Sequence, residues 1–260
     1  MNMNVRAKKE LGQHFLTDLG VAEQIAMALP LDRTKKVLEV GPGMGVLTQF
    51  LIERSSENID LTVVEIDTES VAYLNRNFPA GLAGRIVEGD FLQMSIDGVT
   101  SVIGNFPYNI STQIFFKILD NRDSVPYVVG MLQKEVAARL AAPAGTREGG
   151  VLSILLQAFY DVEYLFEVGP SKFSPPPKVD SAVIRCTRNG VTDLGCDEKL
   201  FKRVVKGAFA QRRKMLRNAI YASFQPIAEA KLDHPFFKRR AENLSIAEFV
   251  ELTVWIKNNL

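Results

Sequence analysis

Between Lys35 and Leu132, short apolar runs alternate with stretches whose apolar residues recur every three or four positions. The runs KKVLEVG (35–41), IDLTVVEID (59–67), GRIVEGD (84–90), TSVIGN (100–105) and PYVVGML (126–132) predict strands. VLTQFLIERS (46–55), ESVAYLNRNF (69–78), STQIFFKILD (111–120) and KEVAARLAA (134–142) predict the helices between and after them. This alternation predicts a mostly parallel sheet with helices on both faces. After Gly150 the pattern changes: VLSILLQAFYDVEYLFEVG (151–169) is too apolar to divide by periodicity and includes a late strand. SKFSPPPKVDSAVIRCTR (171–188) holds a stiff proline loop and then the alternation of a last strand. RNGVTDLGCD (188–197) is the best boundary, and only helical patterns follow it. The division expected is therefore 1–190 and a small all-α domain over 191–260. In KLFKRVVKGAFAQRRKMLRNAI (199–220), Leu200, Phe201, Val204, Val205, Ala208 and Phe209 form one apolar stripe.

Charge sharpens this division. The chain of 260 residues has a net charge of +1, but residues 197–240 hold 12 Lys or Arg against 4 Asp or Glu. The remainder holds 19 basic and 26 acidic residues. A basic region beside an acidic one suggests a polyanion partner, the alternative being a solvated helical face. No apolar run approaches the roughly 18 residues of a membrane span. The start, MNMNVRAKKELGQHF, has charges without an apolar core and reads as unprocessed. Cys186 and Cys196, with His14 and His234 far away in sequence, form no metal-type set and read as reduced cytosolic thiols.

The candidate chemistry lies at the strand ends. EVGPGMGVLT (39–48) puts Gly41, Gly43 and Gly45 between a strand and a helix, where glycines admit close approach of a ligand and free helix N–H groups favour an anionic group such as a carboxylate. The G-x-G-x-G spacing differs from the G-x-G-x-x-G of nicotinamide and flavin binders. Glu65 ends the second strand, where a carboxylate can accept from both hydroxyls of a ribose. Asp90 ends the third, placed for an adenine amino group. Together they imply an adenosine ligand with a small charged tail and no required pyrophosphate.

The fourth strand ends in GNFPYNI (104–110). Asn105 offers a side-chain oxygen, and Pro107 pushes Phe106 towards an extended conformation that can aim its carbonyl outward as a second acceptor. Two converging acceptors suit an exocyclic amino group, and Tyr108 offers an aromatic face for base stacking. Accepting both hydrogens of an adenine amino group frees its lone pair, so positioning can replace a strong base. Taken alone, the tetrapeptide reads as a turn with Tyr108 in the core; behind a glycine turn and two acids it reads as a site.

KKELGQHFL, EVGPGMGVLT, VVEID, EGDF, GNFPYNIST, MLQKEVAARL, FSPPPKVDSAV, FAQRRKMLRN and RAENLS, in this order, extend over essentially the whole chain. In combination they are highly specific. With them the sequence resembles the bacterial ribosomal RNA small-subunit adenine dimethyltransferases, the kasugamycin-resistance methyltransferase family. The resemblance implies a Rossmann-like methyltransferase sheet and S-adenosylmethionine as donor. It also implies dimethylation of two adjacent adenosines near the 3′ end of 16S rRNA in an immature small ribosomal subunit. The residues themselves lead to the expectation of a cytoplasmic protein and, with no obvious exposed apolar stripe, of a monomer. Carried over by motif, the cofactor residues are His14, Leu16, Gly41, Glu65, Asp90 and Asn105, with Gly43 from the same turn. His14 stands where many relatives have Asn, and Phe106 where Leu is commoner. Phe173 matches the aromatic residue expected to flank the target base, its other reading being a core Phe that anchors the proline loop. Arg212, Arg213, Lys214 and Arg217 would contact RNA phosphates. The rival readings are a large-subunit adenine methyltransferase conferring antibiotic resistance and a non-enzymatic rRNA-binding assembly factor on the same fold. A nicotinamide oxidoreductase is opposed by the glycine spacing.

Overall fold

In the computed structural model, which describes residues 5–54, 58–224 and 234–260, the apolar runs become the strands of a seven-stranded mixed sheet. In chain order the elements are β1 (Phe15–Leu16), α1 (Leu19–Met27), β2 (Lys36–Val40), α2 (Thr48–Glu53), β3 (Asp60–Glu65), α3 (Thr68–Asn77), β4 (Ile86–Glu88), β5 (Ser101–Asn105), α4 (Ser111–Asp120), β6 (Tyr127–Gln133) and α5 (Lys134–Ala141). There follow α6 (Val151–Gln157), β7 (Tyr160–Val168), β8 (Phe173–Ser174), β9 (Ser181–Arg188), α7 (Glu198–Ala210), α8 (Leu216–Ser223) and α9 (Ile246–Asn259). The sheet runs β4-β3-β2-β5-β6-β9-β7. Its first five strands are parallel, and β9 is antiparallel to β6. β1 and β8 form a separate two-stranded antiparallel pair.

Parallel strands covered on both faces should be apolar throughout, and β2, β5 and β6 are buried along nearly their whole length. Val37, Val63, Ile103, Val129 and Val183 face one core layer shared with Ile25 of α1, Leu51 of α2 and Leu74 of α3. Asp18 caps α1 by accepting from the Val21 N–H at 3.0 Å. Asp67 stands at the N-cap position of α3 without a side-chain cap bond, because its carboxylate binds Lys8, Gln13 and Ser70.

The apolar run after Gly150, expected to include a late strand, is helix α6 followed by strand β7, and the helical pattern over 199–220 is two helices, α7 and α8, with Gln211–Met215 between them. Of the predicted helix 46–55, Ser55 lies outside the described residues, as does Lys231 of the basic region. Among the described residues no helix is long and apolar enough to cross a membrane.

The chain divides into two units, one of residues up to Ala137 with Val162–Arg188, the other of Ala138–Asp161 with Asn189–Leu260. The sequence boundary at 190/191 gave 138–161 to the first domain; the structure groups them with the C-terminal helices. Within segment 138–161, Gln157 Nε2 donates to the carbonyls of Leu140 (2.7 Å) and Ala142 (2.8 Å). Arg212 donates to the carbonyls of Arg147 and Gly149 and pairs with the buried Glu242 at 3.2 Å. The stripe on α7 is as the spacing predicts: Leu200, Phe201, Val204, Val205 and Ala208 are buried. Phe209 is half-buried and stacks on Phe249 of α9 at 6.1 Å.

Arg212 is thus a structural tie, and its removal leaves Glu242 and two carbonyls short of a partner. Arg212→Ala should cost about 1–3 kcal/mol, a fall in Tm of roughly 2–10 °C. Arg213→Ala and Lys214→Ala, at exposed positions, should leave Tm nearly unchanged. Thermal unfolding followed by circular dichroism checks all three.

Candidate active site

The strand order reverses between β2 and β5, which are neighbours in the sheet. The crevice outside the carboxyl ends of such a pair is where open α/β sheets bind ligands. Here β2 runs into the glycine turn and β5 into Asn105. Gly41, Gly43 and Gly45 have φ of 68°, 55° and 79°, a region that side chains other than glycine's rarely adopt. A methyl group at Gly43 would also come within 2.8 Å of the Phe15 ring.

Glu65, buried at the end of β3, clamps this turn: its carboxylate accepts from the Gly43 N–H at 3.0 Å and from the Asp67 N–H at 2.9 Å. Burial raises its pKa above the ordinary value, although the two N–H groups oppose the rise. The segment from Leu11 to Phe15 forms one wall of the cleft. It is anchored by Lys8, which pairs with Asp67 and with Glu69. Gln13 bridges Asp67 and the Lys8 N–H.

Asn105 is oriented by that wall. Its Nδ2 donates to the His14 carbonyl at 2.9 Å, which leaves Oδ1 as an acceptor. The His14 ring stacks beside Tyr108, with centroids 5.5 Å apart, and its Nδ1 lies 2.8 Å from the Pro175 carbonyl. The Tyr108 hydroxyl bonds the Ser181 hydroxyl. Burial pushes the Tyr108 phenol up, so it is neutral near pH 7 and is no base. The Phe106 N–H donates to the Met131 carbonyl at 3.0 Å.

The structure brings His14, Gly41, Gly43, Glu65, Asn105, Phe106, Pro107 and Tyr108 to one cleft, and Leu16 to an adjoining hollow lined by the same glycines. Asp90 lies beyond the end of β4, outside this lining, with Oδ1 accepting from the Leu92 N–H at 2.8 Å. Phe173 lies in β8, opposite Leu16, and is buried in the main core cluster. Arg213, Lys214 and Arg217 are exposed near the break between α7 and α8, whereas Arg212 is engaged with Glu242.

Sequence reasoning missed Glu39. It alternates with Val37 on the core-facing side of β2 and stands opposite Val63 and Ile103, positions that call for an apolar side chain. It is 1% exposed, lines the adjoining hollow, and its Oε2 has no hydrogen-bond partner. Burial pushes its carboxyl up to about 8, and the charge of nearby Glu65 adds to the rise. A carboxyl at an inward position of a buried strand was the available signal. The residues lining the two spaces include Glu39 and Glu65. Neither lining includes a Lys or Arg to pair with a pyrophosphate, and a ligand carrying positive charge would draw both carboxyls towards their ionised forms.

A family profile described as ribosomal RNA adenine dimethylase matches residues 4–258. The chain is 56% identical to ribosomal RNA small subunit methyltransferase A of Parabacteroides distasonis, over 98% of this chain and 96% of that one. It is 54% identical to the protein of the same name from Phocaeicola vulgatus, over 96% and 89%. Among solved structures, a dimethyladenosine transferase from Plasmodium falciparum superposes with a TM-score of 0.79 at 23% identity, over 95% and 98% of the two chains. The 23S rRNA methyltransferase ErmE superposes with a TM-score of 0.69, also at 23% identity, over 94% and 99%.

The buried Glu39 carries a pH signature. Its folded pKa is raised from 4.5, so its contribution to stability is complete below about pH 4.5 and is lost as pH rises through about 8. At 1.36 kcal/mol per pKa unit, the loss has an upper bound of about 5 kcal/mol. Glu39→Gln cannot ionise. Its stability relative to the parent should therefore improve steadily between pH 5 and pH 8, measured by urea unfolding at each pH; a difference independent of pH would show that Glu39 ionises freely.

Proposed function

The chain belongs to the ribosomal RNA adenine dimethylase family, and we propose that it transfers methyl groups to the exocyclic amino groups of two adjacent adenosines near the 3′ end of 16S rRNA, two to each. The donor in this reading is S-adenosylmethionine, which supplies an electrophilic methyl group when bound. The cleft residues fit it: the acidic lining complements its two cationic centres, and the glycine turn leaves room for close approach. Glu65 would take the ribose hydroxyls and Asp90 the adenine amino group. His14, Leu16, Gly41 and Gly43 would border the ligand.

One observation carries the catalytic reading. The Asn105 amide is held by its NH₂ group, so its oxygen is the free end. Beside it, the Phe106 carbonyl receives no backbone N–H among the described residues. Two acceptors at the end of one strand can take both hydrogens of an adenine amino group and leave its lone pair for attack. Neither residue removes a proton before transfer, which agrees with a neutral Tyr108. That ring would stack the target base, extruded from its loop, next to His14.

Relatives above 50% identity that bear the small-subunit name favour 16S over 23S rRNA; the likeness to ErmE carries the fold alone. The substrate would be an immature small subunit met in the cytoplasm. Arg213, Lys214 and Arg217 would contact phosphates and so position RNA without reading its sequence.

The deciding experiment supplies labelled donor with undermethylated 30S and 50S subunits separately. Label should enter 30S rRNA, and label confined to 50S would sink the reading. Asn105→Ala should slow single turnover on 30S subunits about hundredfold or more and keep most RNA affinity; a parental rate would remove Asn105 from the mechanism. Replacing Arg213 and Lys214 with Gln should weaken subunit binding and reduce the slope of log affinity against log salt by about 0.7–0.9 for each phosphate no longer neutralised. Calorimetry should show unchanged donor affinity in that double variant. An unchanged salt slope would move the RNA surface elsewhere.

A further inference from the structure

β5 and β6 carry glycines at matching positions, Gly104 opposite Gly130. The Phe106 ring lies on the floor they form. A methyl group at Gly130 would sit 2.4 Å from Cε2 and 2.8 Å from Cδ2 of that ring. At Gly104 it would sit 3.1 Å from Cε1 and 3.2 Å from Cδ1, so each glycine lies under one edge. Phe115 of α4 closes the ring in edge-on, with centroids 5.9 Å apart and planes at 78°. Phe106 is fully buried. Yet the residue borders the cleft, and with its ring on the glycine floor its backbone makes that border. The ring fixes one side of the residue, the bond from its N–H to the Met131 carbonyl fixes another, and Pro107 restricts the Phe106 backbone itself. The direction of the Phe106 carbonyl therefore depends on the ring staying seated.

Gly104 has a second reason to lack a side chain, since a methyl group there would also sit 2.4 Å from the Val40 carbonyl oxygen. At Gly130 the three nearest atoms all belong to the Phe106 ring, and its φ is not in the left-handed region. Its missing side chain is explained by that ring alone.

We propose that Gly130, remote in sequence from the Asn-Phe-Pro-Tyr segment, is a positioning residue for methyl transfer: by ceding its side-chain space to the Phe106 ring, it sets the direction of the carbonyl that accepts the target amino group. The inference rests on the assignment of Asn105 and Phe106 as the two acceptors. A methyl group at position 130 must move the ring by about 1 Å to restore ordinary carbon–carbon contact. A displacement of that size at a reacting centre can cost about hundredfold in rate.

The test is a double-mutant cycle of Gly130→Ala and Phe106→Leu, assayed on undermethylated 30S subunits. Gly130→Ala should lower kcat about 10- to 100-fold, with KM for S-adenosylmethionine and its calorimetric Kd within about twofold of the parent. In the Phe106→Leu background, where the ring is gone, the same change should alter kcat less than about twofold. A merely structural role would lower Tm and spare this split between kcat and KM. If Gly130→Ala fails to fold but the double variant folds and methylates, the exchange of space is supported. A parental kcat in Gly130→Ala overturns the proposal. So does an undiminished cost in the Phe106→Leu background, or a double variant that neither folds nor methylates. A parent protein that transfers no methyl group removes the reading of the site and the inference together, whereas an active parent with an equally active Gly130→Ala removes the inference alone.

Discussion

The register between β2 and β5 is the constraint on which the site depends. Val37, Leu38 and Glu39 stand opposite Ser101, Val102 and Ile103. Both strands run the same way, so the glycine turn and Asn105 emerge side by side at the carboxyl end. Side chains alternate along a strand, so a slip of one residue would turn Glu39 and Asn105 to the opposite faces. Gly41 shows how the register and the turn divide the work. A methyl group there would meet nothing closer than 3.9 Å, so it is needed for its φ of 68° and not for space.

The second constraint is electrostatic. Two carboxyls are buried beside the turn and are handled differently. Glu65 receives two backbone N–H groups, which offset part of its desolvation. Glu39 has an oxygen without a partner and is held towards its neutral form. A core built only for stability would place an apolar residue opposite Val63 and Ile103. Retaining a carboxyl there makes sense for a pocket that receives positive charge, where desolvation in the empty state is offset on binding.

Much of this was legible in the sequence because it is local. Strands β2 to β6 are short runs bounded by Gly, Asp or Asn, and the residues ending them are where a parallel sheet gathers its chemistry. The features that were not legible depend on packing between distant segments. The run after Gly150 is apolar over most of its length, so periodicity alone left the limit between α6 and β7 open. Segment 138–161 joins the C-terminal helices through Arg212, whose partners no local pattern announces. A count of basic residues could not distinguish Arg212, engaged with Glu242, from the exposed Arg213 beside it. The burial of Phe173 was out of reach as well, because its partner Leu16 lies far away in sequence.

The N-terminal wall makes the same point about the chemistry itself. Asp67 reads as a helix cap, but its carboxylate is occupied by Lys8, Gln13 and Ser70, and α3 begins without a side-chain cap. That arrangement ties the wall to the loop that follows Glu65, the residue that clamps the glycine turn. The wall then presents the His14 carbonyl to Asn105 Nδ2. Through this chain of contacts an ion pair at Lys8 bears on which way an amide nearly a hundred residues later points its oxygen. The tetrapeptide contributes the acceptors, but their direction is settled by residues outside it: the wall orients Asn105, and the glycine floor orients Phe106. An intact motif is therefore a necessary part of the site, and the segments that aim it are the rest.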